Sequence, residues 1–573
     1  MVVTLKYIFA TLWYCICILS CIDTYHFVYT SLSQSLYPSV LGLLTVILFI
    51  FVCLFKKRIP NFSKIQIAAL LLAAYILFHG YAIKDAELYK QGYTICTLLF
   101  MIVLTEIVRT GMINERHIEN GIILISIINV TFLVAQFLGL IDSGNSFFQL
   151  TGANGNPNTA AIALTISIPF IIQKLREKKH IYGMASLLLL VTVFILTIKC
   201  RTAYIGVACI IVCYTLRLSK TRQLILNRYN KKNGVVLIIG IATVVATLAT
   251  LGYIWKKDSA DGRIFIWQRN CEMIANNPLG YGYGKYEVEY NLYQSRYFAT
   301  HKKEYNNSSL ATASSSAYND ILEHGVQGGV IGSVFYLIFL LTPTCHAYRD
   351  RQWTYFTALF AILIMSISNS ICYSISPWIM TISTMALVAS FSKGIVTNMA
   401  IRVLCLPVLL LLSIPPLNRN FKFLISQKQF KKAKVDDNRC IGEIRNLYPA
   451  IGTSEAYWQY LAERYEKNEN YIAADKCYTE ARKYTAAPLL LLKSAICKEH
   501  IGDISSALEI LKTAVCMLPR NLSLKYHLMI MYDRMRDNYH AKQIAYEIVS
   551  TPEKTHNESI LFIKDQAAKK LKE

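Results

Sequence analysis

The residues most able to do chemistry lie at the mouth of an apolar run, in SSSAYNDILEHGVQGGVIG (314–332). Asn319, Asp320, Glu323 and His324 follow Tyr318 there, a polar cluster at the entrance to a membrane span. On a helix His324 would stand about 120° around the axis from Tyr318, so the two do not substitute for each other. A second set is cationic: Lys199-Cys200-Arg201-Thr202, and Arg263 and Arg269 within DGRIFIWQRNCEMIANNPLGYGYGKYE (261–287). Guanidinium groups stay charged and grip phosphate oxygens bidentately, so Lys199 with Arg201 suits a bound polyanion. A third set is Asn156-Pro157-Asn158, which opens a helix whose free N–H groups attract anions. Each has a plainer reading: Arg201 reaching a lipid headgroup, Asn156 as an ordinary cap, Gly325, Gly328, Gly329 and Gly332 as helix-packing residues. The glycines at 280, 282 and 284 lack a following Gly-Lys-Ser/Thr and a strand–turn–helix frame, which excludes a nucleotide loop.

The elements that must position these groups are membrane helices. The 573 residues are 54% hydrophobic, and apolar runs recur at 5–22, 36–55, 64–83, 92–109, 117–140, 158–173, 182–199, 202–217, 234–255, 328–347, 353–371, 376–392 and 399–415. Runs of this length cross about 30 Å of hydrocarbon as helices. The fold class expected is therefore all-α, a polytopic bundle of 12–13 spans in contact with membrane lipids. The net charge of +23 comes largely from short connections such as Lys56-Lys57-Arg58 and Arg349-Asp350-Arg351, which fall on one side. The positive-inside rule makes that side cytoplasmic, and it accounts for the charge without nucleic acid. The opposite side receives 141–157 and 256–327, and with thirteen spans the C-terminal region as well. No CxxC pair occurs among the 16 cysteines, so neither zinc nor a redox dithiol is indicated.

The last 150 or so residues are polar and helical. Ala474, Ala507 and Ala541 recur at intervals of 33 and 34, and Pro519 and Pro552 at 33. This period resembles tetratricopeptide repeats, whose stacks offer a concave surface to a protein or peptide. The expected organisation is a membrane domain over 1–417 with a large loop at 256–327, a linker over 418–450, and helical repeats over 451–573.

Taken in order, GNPNTAAIAL, KCRTAYIGV, GRIFIWQRNCEMIANNPLGYGYG and YNDILEHGVQGGVIG resemble the successive signatures of the O-antigen ligase and polymerase superfamily, over roughly residues 60–395. The resemblance implies a bacterial inner-membrane enzyme that moves a glycan from undecaprenyl diphosphate to a hydroxyl at the periplasmic face, with no metal, nucleotide or other cofactor. It implies that Arg201 and Arg263 bind the diphosphate, with Lys199 and Arg269 as helpers and Asn156 and Asn158 at a helix end near the carrier. Acceptors of the superfamily include lipid A core sugars and protein Ser/Thr, and a nearby branch polymerises glycan repeat units. A polysaccharide transporter fits less well, because no inverted repeat of broken helices is visible. The chain departs from the ligase pattern at one position, where Tyr318 stands in place of a histidine before Asn319. A phenol, with an ordinary pKa of about 10, is a weak base at neutral pH. Three readings follow: Tyr318 orients the acceptor while Asp320, Glu323, His324 or His301 takes the proton; the departing phosphate takes it late; or the chain is a polymerase.

Overall fold

The computed structural model describes residues 2–21, 32–55, 60–83, 88–143, 145, 147–217, 257–301, 308–395, 399–435, 441–552 and 558–573. These residues form helices and no strand. The N-terminal series is α1 (Val2–Cys21), α2 (Leu32–Phe55), α3 (Lys64–Ala82), α4 (Leu88–Arg109), α5 (Glu115–Phe137), α6 (Pro157–Arg176), α7 (Ile181–Ile198) and α8 (Arg201–Arg217). The apolar run expected at 234–255 lies outside the described residues. Then come α9 (Lys257–Asn276), α10 (Tyr286–Thr300), α11 (Asp320–Arg349), α12 (Trp353–Ser368), α13 (Ile375–Phe391) and α14 (Met399–Val435). Among the described residues, seven helices are long and apolar enough to cross a membrane, and residues 39–54, α12 and α13 form shorter apolar helices. The protein is an all-α, multi-pass membrane protein.

Two compact units divide the chain. The first holds residues 1–81, 89–257 and 318–424, and the second holds 82–88, 258–317 and 425–573. This differs from the expected partition, in which the large loop stayed with the membrane domain. The loop folds with the C-terminal region because its α10 packs there. The expected linker differs too: α14 runs unbroken to Val435. Hydropathy falls after residue 417, but the residues that follow are good helix formers, so polarity changes while the helix continues.

In the first unit, the end that carries the basic connections is tied by buried charges. Lys174 pairs with Glu119 at 2.9 Å, and Tyr355 donates to the same carboxylate at 2.9 Å. Arg109 pairs with Glu106 and donates to the carbonyls of Asn61, Ala389 and Ser392 at 2.7, 2.8 and 3.1 Å. Each buried charge there has a partner, as a low-dielectric interior demands.

The opposite end contains a reversal. α11 breaks at Gly329, whose φ of 68° and ψ of −170° are not helical. On a straight helix, residues 12 apart would be separated by about 18 Å. Instead Ser333 Oγ donates to the Ile321 carbonyl 12 positions back at 2.8 Å, and the His324 and Tyr336 rings stack with centroids 4.1 Å apart. Residues 320–328 are thus a short helix folded back on the apolar helix that follows. The sequence put the start of this span at 328, one residue from the break. Tyr75 of α3 donates to the Gly328 carbonyl at 2.5 Å, satisfying a group that the break frees. Gly329→Ala would force a Cβ into a backbone region that only glycine enters freely. It is expected to lower stability by about 1–3 kcal/mol, read as a fall in thermal midpoint of the purified protein.

The second unit ends in α15 (Ile441–Arg445), α16 (Tyr448–Ile451), α17 (Glu455–Lys467), α18 (Tyr471–Ala481), α19 (Pro488–Ile501), α20 (Ile504–Met517), α21 (Leu522–Arg534), α22 (Asn538–Ser550) and α23 (Glu558–Lys572). Hairpins α17–α18, α19–α20 and α21–α22 share one construction. Asn470, Asp503 and Asp537 cap the second helix of each, accepting from the N–H groups of Ala473, Ser506 and His540 at 3.1, 3.2 and 3.2 Å. The periodic alanines Ala474, Ala507 and Ala541 follow these caps by four residues and are wholly buried, where their small size lets paired helices approach.

Candidate functional site

The N-terminus of α11 is built around Tyr318 and Asn319. Asn319 is the cap, its side-chain oxygen accepting from the N–H groups of Ile321 and Leu322 at 3.0 and 3.1 Å. Tyr318, just outside the helix, is half-buried and holds a φ of 51°, in the left-handed region that a bulky residue enters only under constraint. Such strain persists where the surroundings over-determine it, and it concentrates at functional positions.

Those surroundings centre on a segment that the motif reading passed over. Residues 368–376, SNSICYSIS, join α12 to α13. Asp320 is fully buried and accepts from the N–H of Ile371 at 3.1 Å, from Cys372 Sγ at 3.0 Å and from Tyr336 OH at 3.0 Å. Glu323, 2% exposed, accepts from Ser370 Oγ at 3.0 Å, and Gln327 donates to Tyr373 OH at 2.9 Å. The same segment meets the other outer motifs. Ser376 Oγ donates to Asn154 at 2.8 Å, Thr159 and Ser374 hydroxyls lie 3.5 Å apart, and Thr202 Oγ1 donates to the Ser368 carbonyl at 3.4 Å. Its signal in the sequence is a serine-rich interruption between two apolar runs, and it was legible only as polarity.

Through this segment the starts of α6, α8 and α11 gather at one end of the first unit. Asn156 caps α6 by accepting from the N–H groups of Asn158 and Thr159 at 2.9 and 3.3 Å, with Pro157 in the first turn. Loop 151–153 is held behind it, Gln136 accepting from the N–H groups of Thr151 and Gly152 at 2.9 and 3.0 Å and Asn129 from Ala153 at 3.3 Å. α8 begins at Arg201, half-buried, beside an exposed Lys199 whose φ of 56° closes α7. Helix starts carry partial positive charge, and two cations beside them add to it. The arrangement suits a polyanion.

Glu323 and His324 are 2% and 1% exposed. Glu323 bonds Ser370, and His324 stacks on Tyr336. His301 is exposed in the second unit, stacked on Tyr297 with centroids 4.5 Å apart.

Arg263 and Arg269 lie on α9 in the second unit. Arg263 is half-buried. Arg269 is enclosed: its guanidinium sits 3.9 Å from the Tyr297 ring centroid and pairs with Glu272 at 2.6 Å, and Tyr293 OH donates to the same carboxylate at 3.1 Å. These contacts hold α9 against α10, while Arg269 Nε and Nη1 are buried with no hydrogen-bond partner among the described residues. Trp267, one turn on from Arg263, donates from Nε1 to the Ala317 carbonyl at 3.0 Å, fixing the residue that precedes Tyr318.

Comparison with known proteins identifies the stretch that carries these groups. Residues 159–337 match the family model described as O-antigen ligase. The match begins in the first turn of α6 and ends within α11, so it takes in Lys199, Arg201, Arg263, Arg269, Tyr318 and Asn319. No curated protein matches the chain.

Proposed function

Starting from an O-antigen ligase domain over residues 159–337, a glycosyltransferase type of membrane domain, we propose that this protein transfers a glycan from undecaprenyl diphosphate to an acceptor hydroxyl at the periplasmic face of a bacterial inner membrane. The observation that carries the reading is the gathering of three helix starts and Arg201 around residues 368–376, beside the constrained Tyr318. The acceptor oxygen attacks the anomeric carbon, the bond from that carbon to the diphosphate oxygen breaks, and undecaprenyl diphosphate leaves with the bonding pair. The acceptor proton passes to a nearby base or to the departing phosphate. The family resemblance assigns diphosphate binding to Arg201 and Arg263, with Lys199 in support; fixed cations aimed at the charge that develops on the leaving oxygen are the largest stabilisation available. Tyr318 orients the acceptor.

A protein Ser/Thr acceptor is favoured over lipid A core sugar, because the C-terminal hairpins fold with the outer loop. Loop residues 258–317 and residues 425–573 form one unit. Read from the sequence, four spans lie between them, which would put both on the same face. A helical stack on that face is suited to recognising a peptide.

The test is transfer by the purified protein from undecaprenyl-diphosphate glycan to lipid A core and to a Ser/Thr peptide. Tyr318→Phe keeps the ring and loses one neutral hydrogen bond, worth about 0.5–1.5 kcal/mol, so transfer is expected to fall by roughly tenfold or less. A loss of about 10²-fold or more would make the phenol a participant in proton transfer. Lengthening of carrier-linked glycan without any acceptor-linked product would replace this reading with a polymerase. No turnover would overturn it.

A further inference from the structure

One face of α10 touches two other parts of the second unit at once. Towards the loop, Asn291 exchanges a pair of hydrogen bonds with the Ser314 backbone at 3.0 and 3.3 Å. Towards the C-terminal hairpins, Ser295 Oγ donates to the Thr513 carbonyl at 2.8 Å, and Glu287 accepts from Thr485 Oγ1 at 2.7 Å. Leu292 packs on the apolar core that includes Leu491, Leu511 and Leu528.

Gln294 lies between the two and is fully buried. Its Nε2 donates to the Thr312 carbonyl at 3.1 Å and to the Met517 carbonyl at 2.8 Å. Met517 is the last residue of α20, so its carbonyl has no partner within the helix. The Gln294 oxygen accepts from Tyr290 OH at 3.1 Å. Burial pushes the Tyr290 phenol well up, outweighing the opposite pull of Arg269, so Tyr290 remains a donor. Every polar group of the Gln294 amide is therefore engaged, and this side chain joins the hairpins to the segment that leads into Tyr318.

We propose that Gln294 is a positioning residue: it fixes residues 312–317 against α20, so that the C-terminal hairpins set the approach of the chain to Tyr318. The proposal rests on the transfer reaction above only for its kinetic consequence. From Gln294 the segment continues through Ser314, held by Asn291, to Ala317, held by Trp267. The peptide after Ala317 is that of Tyr318, whose left-handed backbone needs such constraint. The hairpins thereby hold the segment that leads into Tyr318 and are not only an appendage for capturing acceptor.

The experiment uses the full-length protein in lipid nanodiscs. Gln294→Met keeps the volume and removes both donors, and Ser295→Ala removes a tie to α20 while leaving Thr312 held. Gln294→Met is expected to speed amide exchange across 308–317 by about tenfold, with helix content unchanged. Turnover is expected to fall roughly 10- to 100-fold through misplacement of the motif, with donor KM held within about twofold. Ser295→Ala is expected to speed exchange at the end of α20 and to leave 308–317 close to wild type. Unchanged exchange across 308–317 in Gln294→Met overturns the proposal whether or not the protein transfers glycan. Faster exchange with unchanged turnover also overturns it, because the segment would then be held without consequence. Absence of turnover in the wild type counts against the glycan-transfer reading and leaves the exchange result to decide the positioning claim.

Discussion

Arg201→Ala is expected to lower glycan transfer by about 10²–10³-fold, the effect of removing one fixed donor aimed at a developing oxyanion. The argument starts from position. Arg201 is the first residue of α8, and the next residue, Thr202, bonds to the segment that also holds the starts of α6 and α11. A guanidinium at that point adds a full charge to partial charges that already face the same way. Arg201→Lys keeps the charge and loses the planar fork, so it is expected to recover part of the activity and no more. Arg263→Ala is expected to fall by a similar order. The check is kcat for acceptor-linked glycan at saturating donor, and in cells the build-up of glycan still attached to its carrier. If Arg201 only reached a lipid headgroup, Arg201→Ala would leave kcat within about twofold, as for a group that the transition state does not use. That result would remove the central cation from the scheme.

The sequence carried the fold well because membrane helices announce themselves by composition. Uninterrupted apolar runs at 64–83, 117–140 and 182–199 fall on α3, α5 and α7 within a few residues. Ala474, Ala507 and Ala541, spaced at 33–34 in the sequence, are all wholly buried. What was not legible depended on contacts distant in sequence. Nothing local distinguishes Glu323, which bonds Ser370, from a solvated glutamate in the first turn of a helix. The reversal at Gly329 hid among four glycines that each had a packing explanation. Hydropathy could show that 368–376 interrupts an apolar region, but not that it meets residues from α6, α8 and α11. The placing of 258–317 with the C-terminal hairpins escaped for the same reason, since Gln294 and Met517 lie 223 residues apart.

The second large effect is expected at Asp320, and it separates support from chemistry. Asp320 is fully buried and serves three partners: the Ile371 N–H, Cys372 and Tyr336 OH. Asp320→Ala strands at least the Ile371 N–H and the Tyr336 hydroxyl away from water, at about 1–3 kcal/mol each. A total near 3–5 kcal/mol is a large share of the roughly 5–15 kcal/mol that holds a domain together. The expected result is a thermal midpoint lowered by several degrees and transfer reduced at every temperature, because residues 368–376 lose their attachment to α11. Asp320→Asn keeps an acceptor oxygen but turns its amide donors towards groups that are themselves donors, so it should fall between wild type and alanine in both measurements. Gly329→Ala disturbs the same fold-back from its other end. If Asp320 acts through structure, the three variants should align, each losing activity in step with stability. An Asp320→Asn protein as stable as wild type yet without transfer would break that line and make Asp320 a participant in the reaction. An Asp320→Ala protein unchanged in both would show that 368–376 is held by its own helices and that α11 merely rests against it.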